Sequence, residues 1–187
     1  MKHNIPAVLL GSLALASLAQ AAEFTSIQAD KSTLGFVYTQ MGVPVDGHFK
    51  KFAALLSFDP AKPASARAVF DLDLASIDAG SQEANDEVAG KAWFNTKAFP
   101  RAKFESTGVK ALGGNRYEVS GKMSIKGRTQ TVSAPFTFNP QGNVAVVDGA
   151  FVLKRADFAI GEGTWADFGT VANEIQIKFH FLANAGK

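Results

Sequence analysis

Residues 117–138, YEVSGKMSIKGRTQTVSAPFTF, decide the fold. Tyr117, Val119, Met123 and Ile125 alternate with Glu118, Ser120, Lys122, Ser124 and Lys126; after Gly127, Val132, Ala134, Phe136 and Phe138 alternate with Thr131, Ser133 and Thr137. Successive side chains of a strand point to opposite faces, so this period of two predicts two strands, each with one apolar face, joined as a hairpin at Gly127. Working outward, Ala68, Phe70, Leu72 and Leu74 stand opposite Arg67, Asp71 and Asp73. Ile175, Ile177, Phe179 and Phe181 likewise stand opposite Gln176, Lys178 and His180. Further strands are expected over 33–40, 47–58, 102–109 and 144–153, separated by turns at Asp59-Pro60, Gly113-Gly114-Asn115 and Asn139-Pro140-Gln141-Gly142.

Eight antiparallel strands result, with no helices to cover their apolar faces, and closure into a barrel is favoured over a flat sheet, with a sandwich as the other solution. In the strand starting at Gly47, Phe49 has one parity and Phe52, Leu56 and Phe58 the other. The register must slip near Lys50-Lys51, and a β-bulge is the simplest device that does this. Two connections exceed what a hairpin needs. The first, 76–100, contains a predicted helix from about Ser81 that stops at Gly90. The second, 155–170, carries Phe158, Trp165 and Phe168 among glycines and acids, as a loop covering one end would.

The chain has 187 residues, 47% hydrophobic and 19% charged, which suits one domain with a real core. Lys+Arg number 19 and Asp+Glu 17, so no field exists to steer nucleic acid. With no cysteine, disulfides, thiolate nucleophiles and sulfur-ligated metals are excluded. Lys2 and His3 precede an apolar run from Ile5 to Leu18, followed by Ala19-Gln20-Ala21. This reads as a cleaved secretory signal over 1–21, leaving a single exported domain over 22–187 with no stable membrane insertion.

Standard catalytic motifs are missing: there is no Gly-x-Ser-x-Gly elbow, phosphate loop or dinucleotide fingerprint. Past residue 21 only His48 and His180 remain, which argues against a histidine metal site. Asp71 and Asp73 share a face opposite apolar residues and belong in water. Lys122, Lys126 and Arg128 suit either an anionic head group or ordinary solubility. Arg155 and Asp157 suit a structural ion pair, a head-group anchor, or an acid and base.

The feature that bears on function is aromatic: 16 Phe against 2 Trp and 2 Tyr. The inward parity collects Phe36, Tyr38, Phe49 or Phe52, Phe58, Phe70, Phe104, Phe136, Phe138, Phe151, Phe179 and Phe181, with Phe52 taken into the expected site. Leu56, Leu72, Met123, Ile175 and Ile177 fill the same face. An eight-stranded barrel is either filled by such side chains or holds one small ligand. Phenylalanine offers apolar area without a polar handle, so a cavity walled by it suits a hydrocarbon chain better than a sugar or peptide. At about 0.8 kcal/mol per buried methylene a long chain needs few polar contacts.

Six motifs follow one another along the chain: Gly47-x-Phe49-x-x-Phe52, Asp71 to Ile77, Trp93-Phe94-Asn95, Phe99-Pro100-x-Ala102-x-Phe104-x-Ser106-Thr107, Gly121-x-Met123-x-Ile125-x-Gly127-Arg128-Thr129, and Arg155-x-Asp157-Phe158-x-Ile160-Gly161. In this order they resemble the YceI-like family of periplasmic, lipocalin-like barrels described as polyisoprenoid-binding. The resemblance spans residues 24–183. It implies an eight-stranded antiparallel barrel, a short helix after the fourth strand, and a hydrophobic pore for an isoprenoid tail of the quinone or polyprenyl phosphate type. It implies no catalytic residue and no catalytic cofactor. Gln40 and Asn173 depart from the histidine and aspartate common in the family at those points.

The site expected on these grounds is the Phe-lined interior named above, together with Phe94, Phe158 and Trp165 and with Arg155 at the head group. Storage or transport of a lipid, as monomer or homodimer with a membrane enzyme as donor or acceptor, is the leading reading. An enzyme acting on a prenyl lipid through Asp157, Glu162 or Asp167 is the alternative. An outer-membrane barrel would need apolar residues outward and aromatic girdles, which the pattern lacks.

Overall fold

The computed structural model describes residues 22–186; the expected signal over 1–21 lies outside them. The fold is all-β with one short helix: β1 (Phe24–Ile27), β2 (Thr33–Gln40), β3 (Val43–Phe49), β4 (Phe52–Ser57), β5 (Arg67–Asp73), β6 (Ile77–Asp78), α1 (Gln82–Ala89), β7 (Arg101–Gly113), β8 (Arg116–Ile125), β9 (Arg128–Gln141), β10 (Val144–Lys154) and β11 (Glu174–Ala185). The strands form one curled antiparallel sheet in the order β4-β5-β7-β8-β9-β10-β11-β2-β3-β6, with β1 added along β11.

The decisive hairpin is present: Ile125 faces Arg128 and Arg116 faces Thr137. Its two-residue turn, Lys126-Gly127, has both residues at positive φ (49° and 74°), the geometry whose twist matches that of the flanking strands. The β2–β3 turn uses the same device at Met41-Gly42, with φ of 48° and 82°.

The count of eight is corrected to eleven, and the reason lies at Lys50-Lys51. Rather than a bulge, the chain breaks there and changes neighbours: β3 pairs with β2 and β6, whereas β4 pairs with β5. A partner break falls after Asp73, where residues 74–76 make a 3₁₀ turn. The Lys50 amide donates to Ser76 O and the Asp73 amide to Lys51 O, so the two breaks are tied together at a corner. At the other end, reciprocal hydrogen bonds between Phe24 and Phe58 join β1 to the end of β4. The sheet thereby curls back on itself, and the barrel is lipocalin-like. The short strands β1 and β6, too brief to show a period, complete the corrected count.

The helix follows β6 rather than a fourth strand. Ser81 caps it, its Oγ accepting from the Ala84 amide at 3.2 Å, and Gly90 ends it. Among the described residues no helix is long and apolar enough to cross a membrane.

Candidate functional site

Some inward-facing rings meet across this barrel, Phe70 stacking on Phe181 with centres 4.9 Å apart and Phe58 packing on Phe138 at 4.6 Å, but together they do not fill it. They wall a cavity of about 630 Å³, which falls within the range of small-molecule sites. Phe70, Phe104, Phe136, Phe151 and Phe179 are therefore only half-buried although they point inward. Of the residues expected at the site, the wall includes Phe36, Tyr38, Leu56, Phe70, Leu72, Phe94, Phe104, Met123, Phe136, Phe138, Phe151, Arg155, Trp165, Ile175, Ile177 and Phe179.

Three expected residues stand off the wall. Phe58 (3% exposed) packs in a closed cluster with Phe24, Tyr117 and Phe138 that plugs one end. Phe158 (1% exposed) packs against Leu74, Trp93 and Leu153 at the opposite end. Phe52 leans on Phe70 and Phe181, with ring centres 6.5 and 5.6 Å away. Parity specifies a face, and a tapering barrel uses the ends of that face as plug rather than wall.

The open interior depends on glycines that alternation overlooks. A side chain at Gly47 would sit 2.2 Å from Phe36 Cζ, one at Gly121 2.4 Å from Phe104, and one at Gly149 2.2 Å from Phe179. Each ring thus lies over a bare stretch of neighbouring strand, flat to the wall instead of across the lumen.

Polar groups gather mainly at the end covered by α1 and residues 155–173. Gln40, Ser81, Glu83 and Glu87 reach the wall there. The Tyr38 hydroxyl donates to Ala79 O at 2.9 Å, and burial pushes its pKa up. Arg155 is 1% exposed, and all five of its N–H donors are taken by backbone: Nε to Ala172 O, Nη1 to Ile160 O and Gly161 O, Nη2 to Trp165 O and Val171 O, at 2.7–3.2 Å. No ion pair with Asp157 exists. Burial lowers the Arg155 pKa, yet a guanidinium remains charged. Arg155 therefore clamps the loop and can bias the potential of this end, but it has no donor left for a head group. Beside it, Trp93 Nε1 is buried with no acceptor.

The three carboxylates considered for catalysis are absent from the wall. Glu162 accepts from Lys126 Nζ at 2.8 Å, Asp167 Oδ1 accepts from the Gly169 amide, and the Asp157 carbonyl accepts from Gln130 Nε2. Lys126, 8% exposed in its side chain, also donates to Ala159 O, so it ties the β8–β9 turn to the loop instead of facing solvent. Asp71 pairs with Arg101 and Asp73 accepts from the Ala75 amide, both on the outer face. Asn173 Oδ1 accepts from the Ala156 amide. Trp93, Leu74, Val171 and Ile160 are wall residues outside the expected site; Trp93 and Ile160 lie in quoted motifs and Leu74 on the apolar face of its strand, which were the available signals, whereas Val171 had none.

Comparison with known proteins agrees with this architecture. Burkholderia cenocepacia BcnA, a solved structure, is 45% identical, with a TM-score of 0.83 over 85% of this chain and 100% of that one. A UPF0312 protein of Azotobacter vinelandii is 30% identical over 186 residues, 95% of each chain. A polyisoprenoid-binding domain from Saccharophagus degradans, 15% identical, shares the fold with a TM-score of 0.68 over 88% of this chain and 99% of its own. The YceI-like domain matches residues 26–183, so the chain belongs to the YceI-like family.

Proposed function

We propose that this chain binds a long isoprenoid or similar amphiphilic lipid, of the quinone or polyprenyl phosphate type, and stores or carries it in the periplasm after loss of residues 1–21. The observation that carries this reading is the cavity of about 630 Å³ whose wall is overwhelmingly apolar. Such a space rewards each methylene it takes from water and offers few polar partners to a compact hydrophilic solute. The name of the Saccharophagus degradans domain supports a ligand of that class. Binding is favoured over catalysis because none of the three candidate carboxylates lies on the wall, and those of Glu162 and Asp167 are engaged elsewhere. A membrane enzyme as donor or acceptor follows from the cargo, since such lipids are made and used in bilayers.

The test is to express the chain in a bacterial periplasm, purify it without detergent, and compare native with denaturing mass spectra while identifying lipid in an organic extract. A stoichiometric adduct with repeating isoprene mass is expected. A bare chain that also takes up no added quinone or polyprenyl lipid overturns the reading.

A further inference from the structure

Two stretches of the barrel wall have no strand ladder. One is the closing edge, where β4 pairs only with β5 and meets β1 through the single Phe24–Phe58 bridge; it is packed by the rings of Phe52, Phe70 and Phe181, with centres 4.9–6.5 Å apart. The other lies between β9 and β10. β9 and β10 pair from Gln141 opposite Val144 to Phe136 opposite Gly149, and there the pairing stops. Beyond that point β10 runs on to Lys154 paired only with β11, and β9 runs back to Arg128 paired only with β8. The cause is local. The next pair would oppose Ala150 to Pro135, which has no N–H to donate. The Pro135 carbonyl already crowds the Gly149 backbone, lying 2.7 Å from where a side chain there would begin.

This seam opens on the cavity. Phe151 and Leu153 on β10, and Val132 and Ala134 on β9, are wall residues directly behind it. On the outside Ser133 and Val152 are exposed, Val152 at 56%, an apolar side chain in water at the middle of the seam. Gln130 Nε2, donating to Asp157 O at 3.1 Å, ties its lower end. The two ends of the barrel are built more firmly. Phe24, Phe58, Tyr117 and Phe138 interlock at one, with ring centres as close as 4.6 Å. Arg155 pins the covering loop through five carbonyls at the other. Parting β9 from β10 between 129–134 and 151–154, past that last pair, breaks no ladder hydrogen bond, whereas parting other neighbours along their paired lengths does.

We propose that this β9–β10 seam is the lateral portal through which an apolar chain enters and leaves the cavity, an inference that rests on the lipid-binding reading. The chain slides sideways between Phe151 and Leu153 on one lip and Val132 and Ala134 on the other, without displacing the plug or the clamped loop.

The chain contains no cysteine, which makes the test direct. In one variant, Ser133→Cys with Val152→Cys is bridged across the seam by a short bis-maleimide. In a control, Ala150→Cys with Lys178→Cys is bridged by the same reagent across the intact β10–β11 ladder, where the two residues are partners. Transfer of the fluorescent polyene cis-parinaric acid between neutral phosphatidylcholine vesicles and each protein is followed by stopped flow. Bridging the seam is expected to slow uptake and release together by about 10-fold or more, with the equilibrium affinity unchanged, while the control bridge leaves both rates alone. Uptake at an undiminished rate through a bridged seam overturns the portal while leaving the binding reading intact, and directs attention to passage beside α1. Equal slowing by both bridges also overturns it. No uptake by the unmodified chain overturns the binding reading and the portal with it. Amide hydrogen exchange on the unmodified chain is a second measurement: seam-facing amides in 129–134 and 151–154 should exchange faster than those of the paired stretch 144–149, and equal protection overturns the proposal.

Discussion

Arg155 lies with its guanidinium carbon 5.5 Å from the centre of the Trp93 ring, with Phe168 at 5.1 Å, so the one fully buried charge of the loop meets aromatic faces and carbonyls and no carboxylate. This arrangement uses what arginine alone offers: a flat, permanently charged group with five donors in fixed directions. Lysine carries the same charge but cannot reach five acceptors. Arg155→Lys is therefore expected to destabilise the fold by about 3 kcal/mol or more, because several buried carbonyls lose their partners at once. Urea unfolding of the two proteins measures it, and a loss below about 1 kcal/mol would show that water replaces the guanidinium easily.

Gly161 is the position that admits this clamp. Its φ is +78°, and a side chain there would start 2.1 Å from Arg155 Nη1. Gly163 has a similar φ of +64° but open space around it. Both Gly→Ala changes incur the left-handed backbone cost of about 1–2 kcal/mol. Gly161→Ala should cost clearly more, since the guanidinium must also move. Equal melting shifts for the two variants would mean that the clamp tolerates displacement.

The loop has a second tether with a pH signature. Hydrogen bonding from Lys126, aided by the charges of Lys126 and Arg128, holds the Glu162 carboxyl below the usual glutamate range. A carboxylate whose folded pKa is depressed contributes stability above its unfolded pKa, about 4.3, and loses that contribution as pH falls through the folded value. Glu162→Gln should therefore be less stable than the parent near neutrality and converge with it in acid. A stability difference that stays constant from neutral to strongly acidic pH would assign the effect to packing instead.

Wall and plug should separate experimentally. Phe58 is in the plug and Phe70 is on the wall. Phe58→Ala empties a tightly packed site and is expected to cost about 3–5 kcal/mol. Phe70→Ala removes a ring with free space on one side, so a smaller loss is expected, together with reduced lipid retention. Combined with Phe136→Ala, retention should fall further, and unchanged retention in that double variant would make the interior a core rather than a site.

The hairpin at Lys126-Gly127, the helix between Ser81 and Gly90, and the inward parity of the phenylalanines were all legible in the sequence, because each rests on contacts within a few residues or on alternation along one strand. The strand exchange at Lys50-Lys51 was not. A change of parity between Phe49 and Phe52 looks the same whether one extra residue bulges out or the chain leaves one neighbour for another. Arg155 was visible only as a charge near Asp157. Its true partners are carbonyls, which every residue carries and no spelling reveals. Phe58 and Phe158 share the parity of wall residues, and only their positions at the ends of the barrel make them plugs. The seam could not be read either, since a proline in a strand tells of a missing donor without telling which neighbour is lost.

The glycines opposite phenylalanine give the sharpest test of how the lumen stays open. Gly47 faces Phe36 directly across the β2–β3 ladder, and a side chain at Gly47 would lie 2.2 Å from the ring and 2.8 Å from Asp78 O. Gly47→Ala must therefore push Phe36 toward the lumen and strain the β3–β6 contact, with an expected loss of about 2 kcal/mol or more. Phe36→Leu relieves the first clash and not the second. In a double-mutant cycle the two changes should couple favourably, the pair costing less than the sum of its parts by about 1 kcal/mol, while part of the Gly47→Ala loss persists. Unfolding free energies of the four proteins measure the coupling, and additivity within about 0.3 kcal/mol would show that the ring moves aside freely and that the glycine serves only the Asp78 carbonyl.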